Sequence, residues 1–338
     1  MILAGDVGGT KCNLALYELR GNDYRKIVKH RYESREFTSF DHIIAKFLSD
    51  TASEIGNSSG GKIEAAGFGV AGPVIGNRVK TTNLPWSVDG VSLTKQLGTD
   101  HVVLLNDLEA TGYGLALLGP SEVVTLNRGV ASPHATQALL AAGTGLGEAA
   151  LFWDGGRYVV NSSEGGHSDF APRTDQEIEL LRYLKKSNQW VSWELILSGR
   201  GFRPIHQFLD ASVQHSMFAD TDADAAAPEI TQLGLEGRCP VCVQTLELWT
   251  AMYGAEAGNL ALKVLARGGV WVAGGIAVKI RKKMEDGTFL QAFCEKEKFA
   301  ELMAQMPIYM VLNEEAPLIG AMAQADRVAG MVKHKISS

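Results

Sequence analysis

The chain has 338 residues, 46% of them hydrophobic and 21% charged, and a formal net charge of −6. Those values describe a folded globular protein rather than a disordered one, with length for one large domain or two lobes with separate cores. No apolar run of about 18 residues occurs, which excludes a membrane-spanning helix. The balance of 32 basic against 38 acidic residues disfavours nucleic acid as the main partner, since phosphate backbones call for a clustered basic face. Arg281-Lys282-Lys283 reads as solvated helix surface. The start, MILAGDVGGT, lacks the basic head and apolar core of a signal peptide. Four cysteines are too few for a disulfide scaffold in a chain this size. Both readings point to the cytoplasm. Glycine is the outlier: 37 are present, against about 24 at the usual ~7%.

Taken in order, Ile2 to Val7 and Asn13 to Tyr17 are apolar-rich runs around Gly8-Gly9, which predicts a β-hairpin over residues 2–17. A third strand is expected near Ile27 to Tyr32. Phe40, Ile43, Ile44, Phe47 and Leu48 then fall at helical spacing behind Ser39 as N-cap. Asn57 to Gly61 reads as a loop, Ile63 to Val70 as a strand, and Val102 to Leu105 as a buried strand delivering Asn106 and Asp107 at its end. Ala138 to Ala142, then Gly143-Thr144-Gly145-Leu146-Gly147, then Glu148 to Trp153 repeat the strand–glycine turn–strand pattern of the opening. Thr174 with Glu177 predicts a capping box before the helix of Ile178, Leu181 and Leu184. A long helix is expected from about Val241 to Ala266, a strand at Val270 to Ala273 entering Gly274-Gly275, and a last helix from near Pro317. Two hairpin-opened α/β units predict a two-lobe α/β architecture with a cleft between the lobes.

Three glycine-rich points carry phosphate-binding chemistry. In Asp6-Val7-Gly8-Gly9-Thr10, paired glycines let backbone amides approach an anion, Thr10 adds a hydroxyl, and Asp6 has the charge to hold Mg2+. An ordinary Asp-Gly hairpin turn accounts for the same residues. Gly143-Thr144-Gly145 has the same physics but lacks the Lys-Ser/Thr of a P-loop, and no Rossmann unit occurs. Gly274-Gly275 reads as a flat platform for adenine or ribose, or as a close strand–helix junction. Asn106-Asp107 sits where catalytic groups stand in α/β folds. Glu164, His167 and Glu194 add the acceptors and donors that a polyhydroxylated ligand needs, and each alone also reads as an ordinary surface or capping group. Cys239-Pro240-Val241-Cys242 lacks a second ligand pair, because Cys12 and Cys294 are isolated. It reads as two small residues at a helix start.

Together the segments DVGGTKCNLAL, GVAGPV, TTNLPW, LLNDLEA, AAGTGLG, SSEGGHSDFAP, WELILSGRGF and VAGGIA resemble, in order and over nearly the whole chain, the bacterial ATP-dependent glucokinases. That family lies in the superfamily of sugar kinases, actin and heat-shock ATPases. LLNDLEA, SEGGHSDFAP and the SGRG segment are specific to glucokinases; DVGGT and GTGLG mark only the superfamily. The resemblance implies a two-lobed actin-like (ribonuclease H-like) fold with an interlobe active site. Residues 1–115 with the C-terminal helix 316–338 would form the small lobe, and 116–315 the large one. It implies phosphorylation of the glucose 6-hydroxyl by ATP with Mg2+. Asp107 would be the general base, with Asn106, Glu164, His167 and Glu194 on the sugar hydroxyls. Gly8, Gly9, Thr10, Gly143, Thr144 and Gly145 would hold the ATP phosphates, Gly274 and Gly275 would border adenosine, and Asp6 would organise Mg2+ through water. A homodimer is implied by the resemblance alone. The related repressor-type sugar kinases carry a cysteine-rich zinc motif after EGGH; here Ser168-Asp169-Phe170-Ala171-Pro172 follow, so no zinc is expected. No helix-turn-helix is expected ahead of Asp6. The Ala/Asp-rich stretch 210–229 reads as a surface loop or short helix. The rivals are a kinase of another hexose, such as mannose, fructose or an amino sugar, a sugar-sensing regulator without turnover, and an actin-like assembly protein.

Overall fold

The computed structural model describes residues 1–20, 23–57, 62–81, 84–210 and 223–330. Positions 58–61 of the loop expected at 57–61, Thr82 and Asn83 of the TTNLPW segment, positions 211–222 of the Ala/Asp-rich stretch and positions 331–338 of the C-terminal segment lie outside the described residues; Asn57, expected in that loop, instead ends a helix. Two compact units emerge. One comprises Met1–Gly119, Asp154–Val160 and the stretch from Glu315 through the last helix; the other holds Pro120–Trp153 and Asn161–Glu314.

In the first unit, β1 (Ile2–Val7), β2 (Lys11–Arg20) and β3 (Asp23–Glu33) precede α1 (Phe40–Asp50), α2 (Ala52–Asn57) and β4 (Ala65–Val70). A small sheet of β5 (Val74–Ile75), β6 (Arg78–Lys80) and β7 (Ser87–Asp89) leads to α3 (Gly90–Leu97), β8 (Val102–Asn106) and α4 (Asp107–Gly114). The main sheet has the order β3-β2-β1-β4-β8. The expected hairpin is present, with Asp6 opposite Asn13, while β1, β4 and β8 run parallel. Period-two alternation along β1 sends Leu3 and Val7 to a core shared with Phe40, Ile43 and Phe47 of α1. Ile2 and Ala4 face the opposite side, against Ala110 of α4 and a helix late in the chain. Each fully buried Leu, Ile or Phe contributes about 1.5–3 kcal/mol. Ser39 caps α1 as expected, its hydroxyl accepting from His42 N.

The second unit carries β9 (Val123–Asn127), β10 (Gln137–Ala142), β11 (Leu146–Trp153) and β12 (Tyr158–Ser163), then α5 (Asp175–Leu184), α6 (Trp193–Ile196), α7 (Phe202–Leu209), α8 (Ala223–Leu235) and α9 (Pro240–Val264). β13 (Gly269–Ala273), α10 (Gly275–Lys279), α11 (Arg281–Met284), α12 (Thr288–Cys294), α13 (Ala300–Ala304) and β14 (Ile308–Val311) follow. The sheet order is β12-β11-β10-β13-β14-β9. β10 and β11 form the second expected hairpin, and β10 and β13 run parallel. Trp193, Phe202, Trp249, Tyr253 and Phe289 anchor the core. The final helix, α14 (Ala316–Ala329), returns to the first unit. The α5 cap departs from a full capping box. Thr174 Oγ1 accepts from Glu177 N at 3.2 Å, but the Glu177 carboxylate accepts from Arg173 N and also takes the Arg173 guanidinium at 2.9 Å. That ion pair, with Glu177 buried, draws the carboxylate one residue beyond the cap.

Candidate active site

In the first unit the parallel strands β1, β4 and β8 end on one edge of the sheet, with Val7 beside Val70 and Val70 beside Asn106. In α/β folds ligands bind outside such carboxyl ends. Asp6 and Asn106 stand there two strands apart, which at ~4.8 Å per strand is about 10 Å. Asp6 is half-buried and accepts from Asn13 Nδ2 at 3.2 Å. Burial pushes its carboxyl above the usual range, against the opposing pull of Asn13 and Lys29. The Gly8-Gly9-Thr10 turn is closed by Gly8 N donating to Lys11 O at 2.9 Å and is held from behind by Ser34. The Ser34 hydroxyl donates to Gly8 O at 2.8 Å, and its N–H donates to Thr10 O at 2.9 Å.

Asn106 is the N-cap of α4. Its Oδ1 accepts from Leu108 N at 2.9 Å and Glu109 N at 3.4 Å, and Glu109 completes a capping box. Asn106 Nδ2 donates to Gly72 O at 3.2 Å. The side chain that the sequence assigns to sugar is thus mostly committed to the helix, with one amide N–H remaining. Asp107 occupies the first helical position, half-buried, its Oδ1 accepting from its neighbour Leu108 N at 3.0 Å.

The remaining candidates form one continuous cluster in the second unit. β10 and β13 end level, Ala141 beside Ala273, so Gly143 and Gly274 begin at the same edge. Gly274 has φ +91°, and a side chain there would strike the Ala142 backbone, so the β13–α10 junction demands glycine at this position. The Gly143-Thr144-Gly145 turn is closed by Gly143 N donating to Gly145 O at 2.8 Å and is tied to the next segment by Gly199 N donating to Gly143 O at 2.9 Å. Glu194, on α6 behind the Ser192 cap, backs this turn, with Oε2 accepting from Leu146 N at 2.9 Å. Its other oxygen lies 3.9 Å from His167 Nε2. Glu164 precedes and His167 ends a single 3-10 turn, Gly165–His167, and both side chains are exposed.

Beneath that turn lies a feature the sequence reading missed. Glu148, on β11, is buried with its carboxylate directly under Gly165. Burial, then the negative Glu256 of α9, push Glu148 up to about 8. Glu256 is itself fully buried and raised by desolvation. It accepts from Asn259 Nδ2 at 2.8 Å and pairs with Lys263 at 3.7 Å, while Lys296 donates to Asn259 Oδ1 at 2.7 Å. Lys263 pulls against the rise of Glu148, and Glu148 in turn acts on the buried Tyr253. With a value near 8, the Glu148 carboxyl keeps its proton at neutral pH. The available signal was a lone carboxylate in each of two apolar runs, LGEAALF and YGAEAGNL.

This pair sets a pH dependence of stability. An unfolded glutamate titrates near 4.5, whereas Glu148 in the fold titrates near 8. Between those values the folded state holds a proton that the unfolded chain has lost, so this stabilisation is full below the lower value and is lost as pH rises through the upper one. The slope is about 1.4 kcal/mol per pH unit for one proton. Urea unfolding across that range should show the wild type weakening, with Glu148→Gln markedly flatter and more stable on the alkaline side. Equal slopes in the two proteins would remove the buried pair as the cause.

Glycine turns closing antiparallel hairpins, parallel strands ending beside them, and an aspartate at one strand end agree with the two-lobed, actin-like sugar-kinase class. The comparisons are specific. The family model described as glucokinase matches residues 3–328. The chain is 38% identical over 347 aligned residues to a glucokinase of Nostoc sp. strain PCC 7120, covering 97% of this chain and 99% of that protein. It is 39% identical to a glucokinase of Synechocystis sp. strain PCC 6803, covering 94% and 96%. The solved glucokinase from an Antarctic psychrotroph superposes with a TM-score of 0.79 at 30% identity, covering 96% of this chain and 98% of that one. The chain belongs to the glucokinase family and is an enzyme of ATP-dependent glucose phosphorylation.

Proposed function

We propose that this kinase transfers the γ-phosphoryl of ATP to the glucose 6-hydroxyl, with Asp107 as general base. The observation that carries this is the placing of Asp107 at the first position of a capped helix, on the carboxyl edge it shares with Asp6. A primary alcohol is a poor nucleophile, so a carboxylate must take its proton as the bond to phosphorus forms. The remaining Asn106 amide N–H, Glu164, His167 and the outward oxygen of Glu194 would grip the other hydroxyls. Backbone amides of Gly8, Gly9, Thr10, Gly143, Thr144 and Gly145 would neutralise the phosphates, which is most of what phosphoryl transfer requires. Gly274 and Gly275 would border adenosine. Asp6 fits Mg2+, because a desolvated carboxylate bonded only to an amide donor among the described contacts favours a hard cation. When bound, that ion supplies charge neutralisation at the phosphates.

The smaller lobe would be residues 1–115 with the C-terminal helix, and the larger 116–315. A cytoplasmic setting is supported by a cysteine count too low for a disulfide scaffold, and the homodimer rests on family resemblance. Among the described residues no helix is long and apolar enough to cross a membrane. Coupled detection of ADP release across a hexose panel tests the reading. Glucose-dependent release exceeding that with mannose, fructose or amino sugars is expected. Turnover with another hexose but not glucose would transfer the assignment to that sugar, and no sugar-dependent release at all would refute a kinase.

A further inference from the structure

The sequence offers Cys239 and Cys242 no partner, but the fold does. His206 sits on α7 and is 1% exposed, and Cys242, in the first turn of α9, is fully buried. Cys239 is the N-cap of α9, its Sγ accepting from Cys242 N at 3.4 Å. One ligand atom from each of the three residues falls within 4.8 Å of the other two. We propose that His206, Cys239 and Cys242 form a zinc site that pins α7 to the start of α9.

The donor set selects the metal: two thiolates and an imidazole suit Zn2+ and exclude Mg2+ or Ca2+. With Zn–S near 2.3 Å and Zn–N near 2.0 Å, tetrahedral ligand atoms stand about 3.5–3.8 Å apart. The three side chains therefore close in by about 1 Å around the ion, within rotamer adjustment. The charged surroundings agree. Asp210, one turn beyond His206, and Glu229 on α8 place negative charge near Cys242. Carboxylates that oppose a bare thiolate favour a divalent cation in the same place, and the ion then deprotonates the thiols it binds. The fourth position falls to water. The site lies behind the nucleotide turn: α7 directly follows the Gly199–Gly201 segment, whose Gly199 N–H holds the Gly143 carbonyl. Its role is to fix that segment, with no step of phosphoryl transfer assigned to the metal.

The full chain, purified under reducing conditions without chelator, should contain one zinc per chain by elemental mass spectrometry. Replacing zinc with Co2+ should give thiolate-to-cobalt charge-transfer absorption and the intense d–d bands of a tetrahedral ion. His206→Gln should weaken zinc binding by at least about tenfold, the lower bound set by losses at supporting residues. Cys239→Ser keeps a good N-cap, so the helix should form while the metal is lost; circular dichroism and the thermal unfolding transition check folding. A metal-free wild type that shows no cobalt–thiolate absorption overturns the proposal. So does a folded Cys239→Ser or His206→Gln variant that keeps wild-type zinc affinity, and so does a Cys239–Cys242 disulfide formed in place of metal binding.

Discussion

Asp107→Asn is expected to lower kcat by about 10²–10⁴-fold, the usual contribution of a positioned base, with only a modest change in glucose affinity. Asparagine keeps the size of aspartate and can still accept a hydrogen bond from Leu108 N, which Asp107 Oδ1 accepts at 3.0 Å. Helix α4 stays capped by Asn106 and Glu109, so the variant should fold as the wild type does. What it loses is the ability to take a proton. Steady-state kinetics with glucose binding measured by intrinsic fluorescence checks both halves. A variant with near wild-type kcat would take the base role from Asp107, and a kcat loss matched by lost sugar binding would make the residue a ligand rather than a base.

The largest expected effect on stability lies at the crossing of α4 and α14. A Cβ at Gly320 would overlap the Ala110 carbonyl and come within 2.6 Å of Gly114 N, and one at Gly114 would overlap the Ala316 carbonyl. Both obstacles are backbone and cannot swing aside, so the helices must separate. Overpacking usually costs about 1–3 kcal/mol, and Gly320→Val should reach or exceed the upper end. Because α4 carries Asp107 in its first turn, activity should fall as well, even where the protein remains folded. Denaturant midpoints for Gly320→Ala and Gly320→Val, with kcat measured below the transition, test this. Unchanged midpoints in both variants would show that the helices have room to move apart.

Local features of this fold were legible in the sequence because their physics is local. The two hairpins follow from apolar runs around glycine pairs, the α1 cap from Ser39 before a helical stripe, and the α14 start from Pro317. The segment order that marks the family covers the site, and the candidate residues Gly143, Gly145, Glu194 and His167 do meet in one cluster. What escaped reading depends on partners far apart in the chain. Period alone assigns a residue to a face but does not say what that face meets, so His206 gave no sign that it would reach Cys239 and Cys242. Glu148 and Glu256 were likewise single charges in apolar runs until β11 and α9 put them together. Asn106 illustrates a different limit. Its place before Asp107 was clear, yet its side chain serves the helix as a cap, a duty invisible until the amides of Leu108 and Glu109 are located.

Helix α14 covers one face of the first unit's sheet although it is synthesised after the whole of the second unit. On the ribosome, therefore, Ile2, Ala4, Ala15 and Tyr17 emerge early and wait with their apolar face bare, while the later segment already has nearly everything it needs to close its own core. Domains usually mature in the order they are made, the N-terminal one first; here the connectivity reverses that order. The sheet bearing Asp6 and Asn106 is therefore expected to complete its packing only after α14 is released.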